Sequence, residues 1–111
     1  MNSPLINQTT FGELQANAGA DFVAELVETF AEEAPGLVED LRRALASGGT
    51  DVFRRAAHSL KSNSQTFGAT ELAALARALE LGSIPTSDAP LLTLEAAYTR
   101  AAEALRALSH G

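Results

Sequence analysis

Apolar residues recur at helical spacing through four successive stretches of this chain, and that repetition is the strongest constraint on its fold. Phe22, Val23, Leu26, Val27 and Phe30 form one stripe, taken up again by Leu37, Val38, Leu41 and Leu45. Phe53, Ala56, Leu60 and Phe67 form a second, and Leu72, Leu75, Ala76 and Leu79 a third. Leu91, Leu94, Tyr98, Ala101, Ala102, Leu105 and Leu108 form the last. Hydrophobic residues make up 46% of the chain. Ala and Leu dominate them, and both favour helix, while the β-branched and aromatic residues that mark strands are sparse. A length of 111 residues suits one compact domain and not two. Short connections make neighbouring helices antiparallel. The expectation is an all-α fold: an antiparallel up-down four-helix bundle with a short extra N-terminal helix. Residues 1–111 form one domain in this reading, with 1–9 as an N-terminal arm.

Local signals place the boundaries. Met1 to Gln8 has no clear period, and Leu5 and Ile6 are candidates to tuck against the bundle. Thr10 with Glu13 is a capping-box pattern, predicting a short helix from Phe11 to about Ala16, ended by Asn17–Gly19. A long helix is expected from Asp21 to Ala46. Pro35 should kink it, because proline loses a backbone hydrogen bond and clashes with the preceding turn. The apolar stripe nevertheless continues across Pro35 nearly in phase, which favours one helix over two. Gly48–Gly49 stops it. Thr50 or Asp51 is expected to cap the next helix, which ends near Gly68. Thr70 with Glu71 opens another that runs to Leu81, with Gly82 as its stop. Ser83 to Pro90 is turn-rich, Ser87 or Asp88 caps the last helix to about Leu108, and His110–Gly111 is a tail.

Several function classes are excluded or disfavoured. A net charge of −6 argues against non-specific nucleic-acid binding. The absence of Cys excludes disulfides and thiolate metal sites. No apolar run approaches a membrane span, and MNSPLINQTT lacks a signal-peptide pattern. A cytoplasmic, monomeric protein with no membrane or nucleic-acid partner is the simplest expectation. The small N-terminal arm and the stop after the last helix favour a free-standing protein.

The helix from Asp51 to Phe67 carries the chemistry. At about 100° per residue, Arg54, Lys61, Ser62 and Gln65 fall within about 60° of His58, and Arg55 lies at the edge of that sector. Phe53, Ala56, Leu60 and Phe67 lie on the opposite side, so burying them leaves the histidine facing solvent. A lone surface histidine is not by itself evidence of chemistry, and Arg54, Arg55 and Lys61 would serve equally as a solvated face. Metal binding needs converging ligands, and the neighbours of His58 are cations. A hydrolytic triad needs an acid to orient the imidazole, and none is obvious in the sequence; Asp51 is better placed as a cap. No GxxxxGK loop is present to bind ATP. Covalent chemistry on the imidazole itself fits better. Neutral imidazole is a nucleophile, and a transferring phosphoryl group needs nearby positive charge. Lys61 is one turn on and Arg54 one turn back. Ser62 is small enough to admit a partner surface, and Gln65 is a candidate hydrogen-bond donor. The cations should also disfavour imidazolium.

His58-Ser59-Leu60-Lys61-Ser62-Asn63-Ser64, followed by Phe67-Gly68-Ala69, resembles the signature of histidine-containing phosphotransfer (HPt) domains. Phe53-Arg54-Arg55-Ala56-Ala57 and Phe30-Ala31-Glu32-Glu33-Ala34-Pro35 extend the likeness, which covers about Phe11 to Leu105. The resemblance implies a four-helix bundle that carries a phosphoryl group on His58, usually through Nε2. It implies transfer between aspartates of receiver domains, in response regulators or a hybrid histidine kinase. The protein would then be a phosphocarrier with no ATP site or cofactor of its own, the Mg²⁺ lying in the partner's acidic pocket. Ser62 is a departure, since that position is often Gly in the family. Arg54, Arg55, His58, Lys61, Ser62 and Gln65 form the expected partner-binding face. Two other readings compete. The phosphoacceptor domain of a histidine kinase usually has an acid directly after its histidine, where this chain has Ser59. A non-catalytic docking bundle would have no need of the His58/Lys61 pair.

Overall fold

The structure, a computed structural model, describes residues 5–110, with the backbone alone at 110. Residues 1–4 of the expected arm and Gly111 of the expected tail lie outside the described residues. Five helices follow one another: α1 (Gln8–Ala18), α2 (Ala20–Ser47), α3 (Thr50–Phe67), α4 (Thr70–Leu81) and α5 (Ala89–His110). The last four close a ring in which α2 packs on α3, α3 on α4, α4 on α5 and α5 back on α2. α1 lies against α2 and α3, as the extra helix. The architecture is the expected one.

The apolar stripes meet inside this ring. Val23, Val27, Phe30, Val38, Leu41 and Ala44 of α2 are buried. They meet Phe53, Ala57, Leu60 and Phe67 of α3, Leu72 and Ala76 of α4, and Leu91, Leu94, Tyr98 and Leu105 of α5. Phe30 contacts the Phe67 ring at 5.0 Å and the Tyr98 ring at 4.7 Å, joining three helices through one aromatic row. The sequence reading is corrected at two positions. Phe22, at the start of α2, falls off the stripe and is exposed. On α3 it is Ala57 rather than Ala56 that is fully buried, and Ser64 joins it, its hydroxyl donating to the Leu60 carbonyl at 2.7 Å.

α2 runs through Pro35 as one helix. Proline has no N–H to offer the Ala31 carbonyl. In the adjoining position the buried Tyr98 hydroxyl donates to the Phe30 carbonyl at 2.9 Å, tying α5 to the stretch that the proline weakens.

The expected caps are corrected as well. α1 starts earlier than Phe11, at Gln8, because the Asn7 side chain accepts the Thr10 N–H at 3.1 Å and displaces Thr10 as cap. Leu5 and Ile6 do pack against the core. Gly49, not Thr50 or Asp51, precedes α3, while α4 begins at Thr70 and runs to Leu81 as expected. The tight glycine stops at the ends of the preceding helices leave no residue free to act as a side-chain cap. At Gly48 and Gly68 the backbone is left-handed, with φ of +74° and +77°. Gly49 N–H bonds back to the Ala44 carbonyl and Ala69 N–H to the Ser64 carbonyl, at 2.9 and 2.8 Å, closing Schellman motifs. Gly82 ends α4 in an extended conformation instead. Asp88 begins α5 through its carbonyl, while its carboxylate pairs with Arg42 at 3.1 Å. α5 continues past Leu108 to His110.

Candidate functional site

His58 projects from the middle of α3 because the opposite face of that helix is committed to the core. Phe53, Ala57 and Leu60 are all fully buried, whereas the His58 side chain is 56% exposed. α4 runs back antiparallel along one flank of α3. Counting equal steps outward from the Ala69 turn reaches His58 on one helix and Glu80 on the other, so the two sit level.

That level placement supplies the acid that the linear sequence did not reveal. Glu80 Oε2 lies 2.6 Å from His58 Nδ1, and Glu80 Oε1 lies 2.7 Å from Lys61 Nζ. One carboxylate therefore bridges the imidazole and the ammonium. The Lys61 ammonium, desolvation notwithstanding, holds the Glu80 carboxyl below the usual carboxylate range, with His58 helping. The ionised carboxylate can only accept, so Nδ1 carries the proton and donates it. In the neutral ring the lone pair is then on Nε2, and the exposed ring leaves that nitrogen open to an incoming group.

The other expected site residues divide. Lys61 is brought to the histidine through Glu80, but it is not on the open face expected of it. Its side chain is 18% exposed and flanks the α3–α4 seam. The sequence reading surrounded the imidazole with cations alone; a carboxylate is in fact its direct neighbour. Arg54 points to the end of α4, where its guanidinium donates to the Gly82 carbonyl at 3.4 Å. Arg55 lines the groove on the other flank, between α3 and α2. Ser62 and Gln65 are exposed on the His58 face. Asp51 lies in the first turn of α3, suited to the helix dipole. Glu80 is the residue that sequence reasoning missed. The signal that finds it is the hairpin count from Gly68–Ala69, available once α3 and α4 are taken as antiparallel neighbours.

Among the described residues, no three His, Cys, Asp or Glu side chains converge to hold a metal ion. No described helix is long and apolar enough to cross a membrane. The site is thus an imidazole on an exposed helical face, with a carboxylate on its Nδ1 side and a lysine held by that same carboxylate. Such an arrangement can accept a group from a partner that brings its own activating machinery.

Comparison with known proteins agrees with this geometry. The family model described as Hpt domain matches residues 25–107. The phosphorelay protein LuxU of Vibrio harveyi is 31% identical over 80 residues, covering 72% of this chain and 70% of that protein. The crystal structure of histidine-containing phosphotransfer protein B (HptB) from Pseudomonas aeruginosa PAO1 superposes with a TM-score of 0.86 at 23% identity. It covers 98% of this chain and 97% of that one.

Proposed function

Since the chain belongs to the Hpt domain family, we propose that it relays a phosphoryl group through His58 between receiver-domain aspartates of a phosphorelay. The observation that carries the assignment to His58 is the Glu80 bridge, which leaves Nε2 as the nucleophile and sets a lysine beside it.

In the accepting step the Nε2 lone pair attacks the phosphorus of a partner's aspartyl phosphate. The P–O bond to the aspartate breaks, its electron pair leaves with the carboxylate, and an N–P bond forms. The Nδ1 proton stays where it is. The ring then carries positive charge, which the Glu80 carboxylate faces directly. Lys61 supplies positive charge toward the phosphoryl oxygens, the electrostatic role such transfers require. Donation to the next aspartate reverses these events. Ser62 keeps the approach to the ring low, Gln65 offers a hydrogen bond to the phosphoryl oxygens, and Arg54 and Arg55 meet acidic groups of the partner. The Mg²⁺ belongs to the partner's pocket, and the protein acts as carrier rather than kinase.

The test is incubation with a phosphorylated receiver domain and Mg²⁺. The protein should gain an acid-labile, base-stable label, and His58→Gln should gain none. Label on His58→Gln would remove the assignment.

A further inference from the structure

On the flank of α3 away from Glu80 lies a groove of about 590 Å³ between α2 and α3. Its apolar lining includes Leu37, Ala44, Val52 and Ala56, and Ser59, the neighbour of His58, stands at its edge. Val52 is 55% exposed, an uncommon state for a β-branched residue in a bundle whose other valines are buried. The α3 rim carries Arg55, and the α2 rim carries Asp40 together with Arg43. Counting equal steps from the Phe30–Phe67 contact brings Asp40 level with Ala57, the residue before the histidine, along the bundle axis. Glu32 and Glu33 lie earlier along α2.

The two helices as wholes differ in charge. α2 carries seven acidic residues against two arginines, whereas α3 carries one acid against three basic residues. Three arginines elsewhere are paired internally. Arg42 binds Asp88 and Glu95, Arg100 binds Glu71, and Arg106 forks onto Glu28. Among the described residues no carboxylate pairs with Arg54 or Arg55. Asp40 has only Arg43, at 3.9 Å with both side chains well exposed, a pair too loose to neutralise it.

Resting on the phosphotransfer reading, we infer that Asp40 and Arg55 form a charge-polarised pair that decides which receiver domains dock beside His58 and in which orientation. The accepted receiver presents acidic groups over Arg55, an apolar side chain to the groove floor at Leu37 and Val52, and a cation to Asp40. A receiver with an acid at that last place is turned away, because like charges brought together at an interface cost more than the rim pair gains. The acidic edge of α2 also disfavours the reversed orientation, in which the partner's aspartate pocket would lie over α2.

The experiment is a transfer profile. Protein phosphorylated on His58 is mixed with each purified receiver domain of its host, and rates are followed at low and high salt. Four proteins are compared: wild type, Asp40→Lys, Arg55→Glu and Glu103→Lys. The last reverses an exposed acid on α5 beside the α2–α5 groove, and changes net charge as much as Asp40→Lys does. For the fastest wild-type receiver, Asp40→Lys and Arg55→Glu should each slow transfer about 10-fold at low salt, with the gap narrowing at high salt. Asp40→Lys should raise transfer to receivers that wild type serves poorly. Glu103→Lys should leave the profile as it is. The inference is overturned if Asp40→Lys preserves the ranking of receivers and the salt dependence, or if Glu103→Lys alters them equally. Wild type that takes up no phosphoryl group at all would overturn the phosphotransfer reading along with it.

Discussion

Gly68 joins the site helix to the N-terminal helix, and substituting it gives a prediction whose size follows from the structure. The residue has φ +77°, and a Cβ added there would lie 2.7 Å from the Asn7 carbonyl oxygen and 3.1 Å from Thr10 Cβ. Its own carbonyl accepts the Asn7 N–H at 2.7 Å. Gly68→Ala therefore meets two costs. The left-handed conformation costs about 1–2 kcal/mol with a side chain present. The contact is with backbone, which cannot swing aside, so the start of α1 must shift and the Asn7 hydrogen bond weakens, for about 1 kcal/mol more. The expected total is about 2–3 kcal/mol, or a fall in Tm of roughly 10–20 °C for a domain of this size. Gly48→Ala is the matched control. It has nearly the same φ, +74°, and nothing within 4 Å of the added atom, so only the conformational cost of about 1–2 kcal/mol applies. Thermal and urea unfolding of the two variants measure the difference. Equal destabilisation of both would refute the claim that α1 is clamped onto the α3–α4 turn. Below its lowered Tm, Gly68→Ala should still take label on His58.

Two predictions concern Glu80. Glu80→Gln keeps an acceptor for the Nδ1 proton but removes the charge, and should slow label uptake about 10-fold, whereas Glu80→Ala should slow it about 100-fold, in line with other groups that orient a functional imidazole. In Glu80→Ala, nitrogen NMR of the unphosphorylated ring should show loss of the Nδ1–H form, which Glu80→Gln should largely keep; unchanged tautomer populations in Glu80→Ala would show that Glu80 does not orient it. The second prediction concerns pH. Because the folded carboxyl sits below the usual range, the stability it contributes is fully present above its unfolded value of about 4.3 and is lost as pH falls through the lower folded value. Urea titrations of wild type and Glu80→Gln should therefore differ by a constant amount from about pH 5 to 8, then converge in more acidic solution. A gap that persists into strong acid would contradict the ionised bridge.

The fold was legible because each helix has its own apolar stripe and a glycine or turn-rich stop, signals that act within a few residues. Phe30, Leu41, Leu60, Leu72 and Leu105 could be assigned to the core on spacing alone. The caps were less legible. Thr10 and Thr50 both have the right chemistry, but Asn7 and the Gly48–Gly49 turn occupied the helix starts first. Phe22 and Ala56 show the limit of periodicity at a helix end and at a stripe's edge, where one residue's rotation decides burial. The site was half visible. His58 and Lys61 stand on one helix at readable spacing. Glu80 lies on another, and only the close antiparallel packing of α3 and α4 makes it their partner. Asp40 likewise acquires meaning only from the groove it shares with Arg55.

The central claim is that Glu80 commits Nδ1 to a hydrogen bond so that His58 reacts through Nε2. The direct measurement is nitrogen–phosphorus NMR on protein labelled with ¹⁵N-histidine and phosphorylated by a receiver domain. The account predicts phosphorus coupling at His58 Nε2, with Nδ1 still protonated and donating to Glu80. Coupling at Nδ1, or at His110, would contradict it.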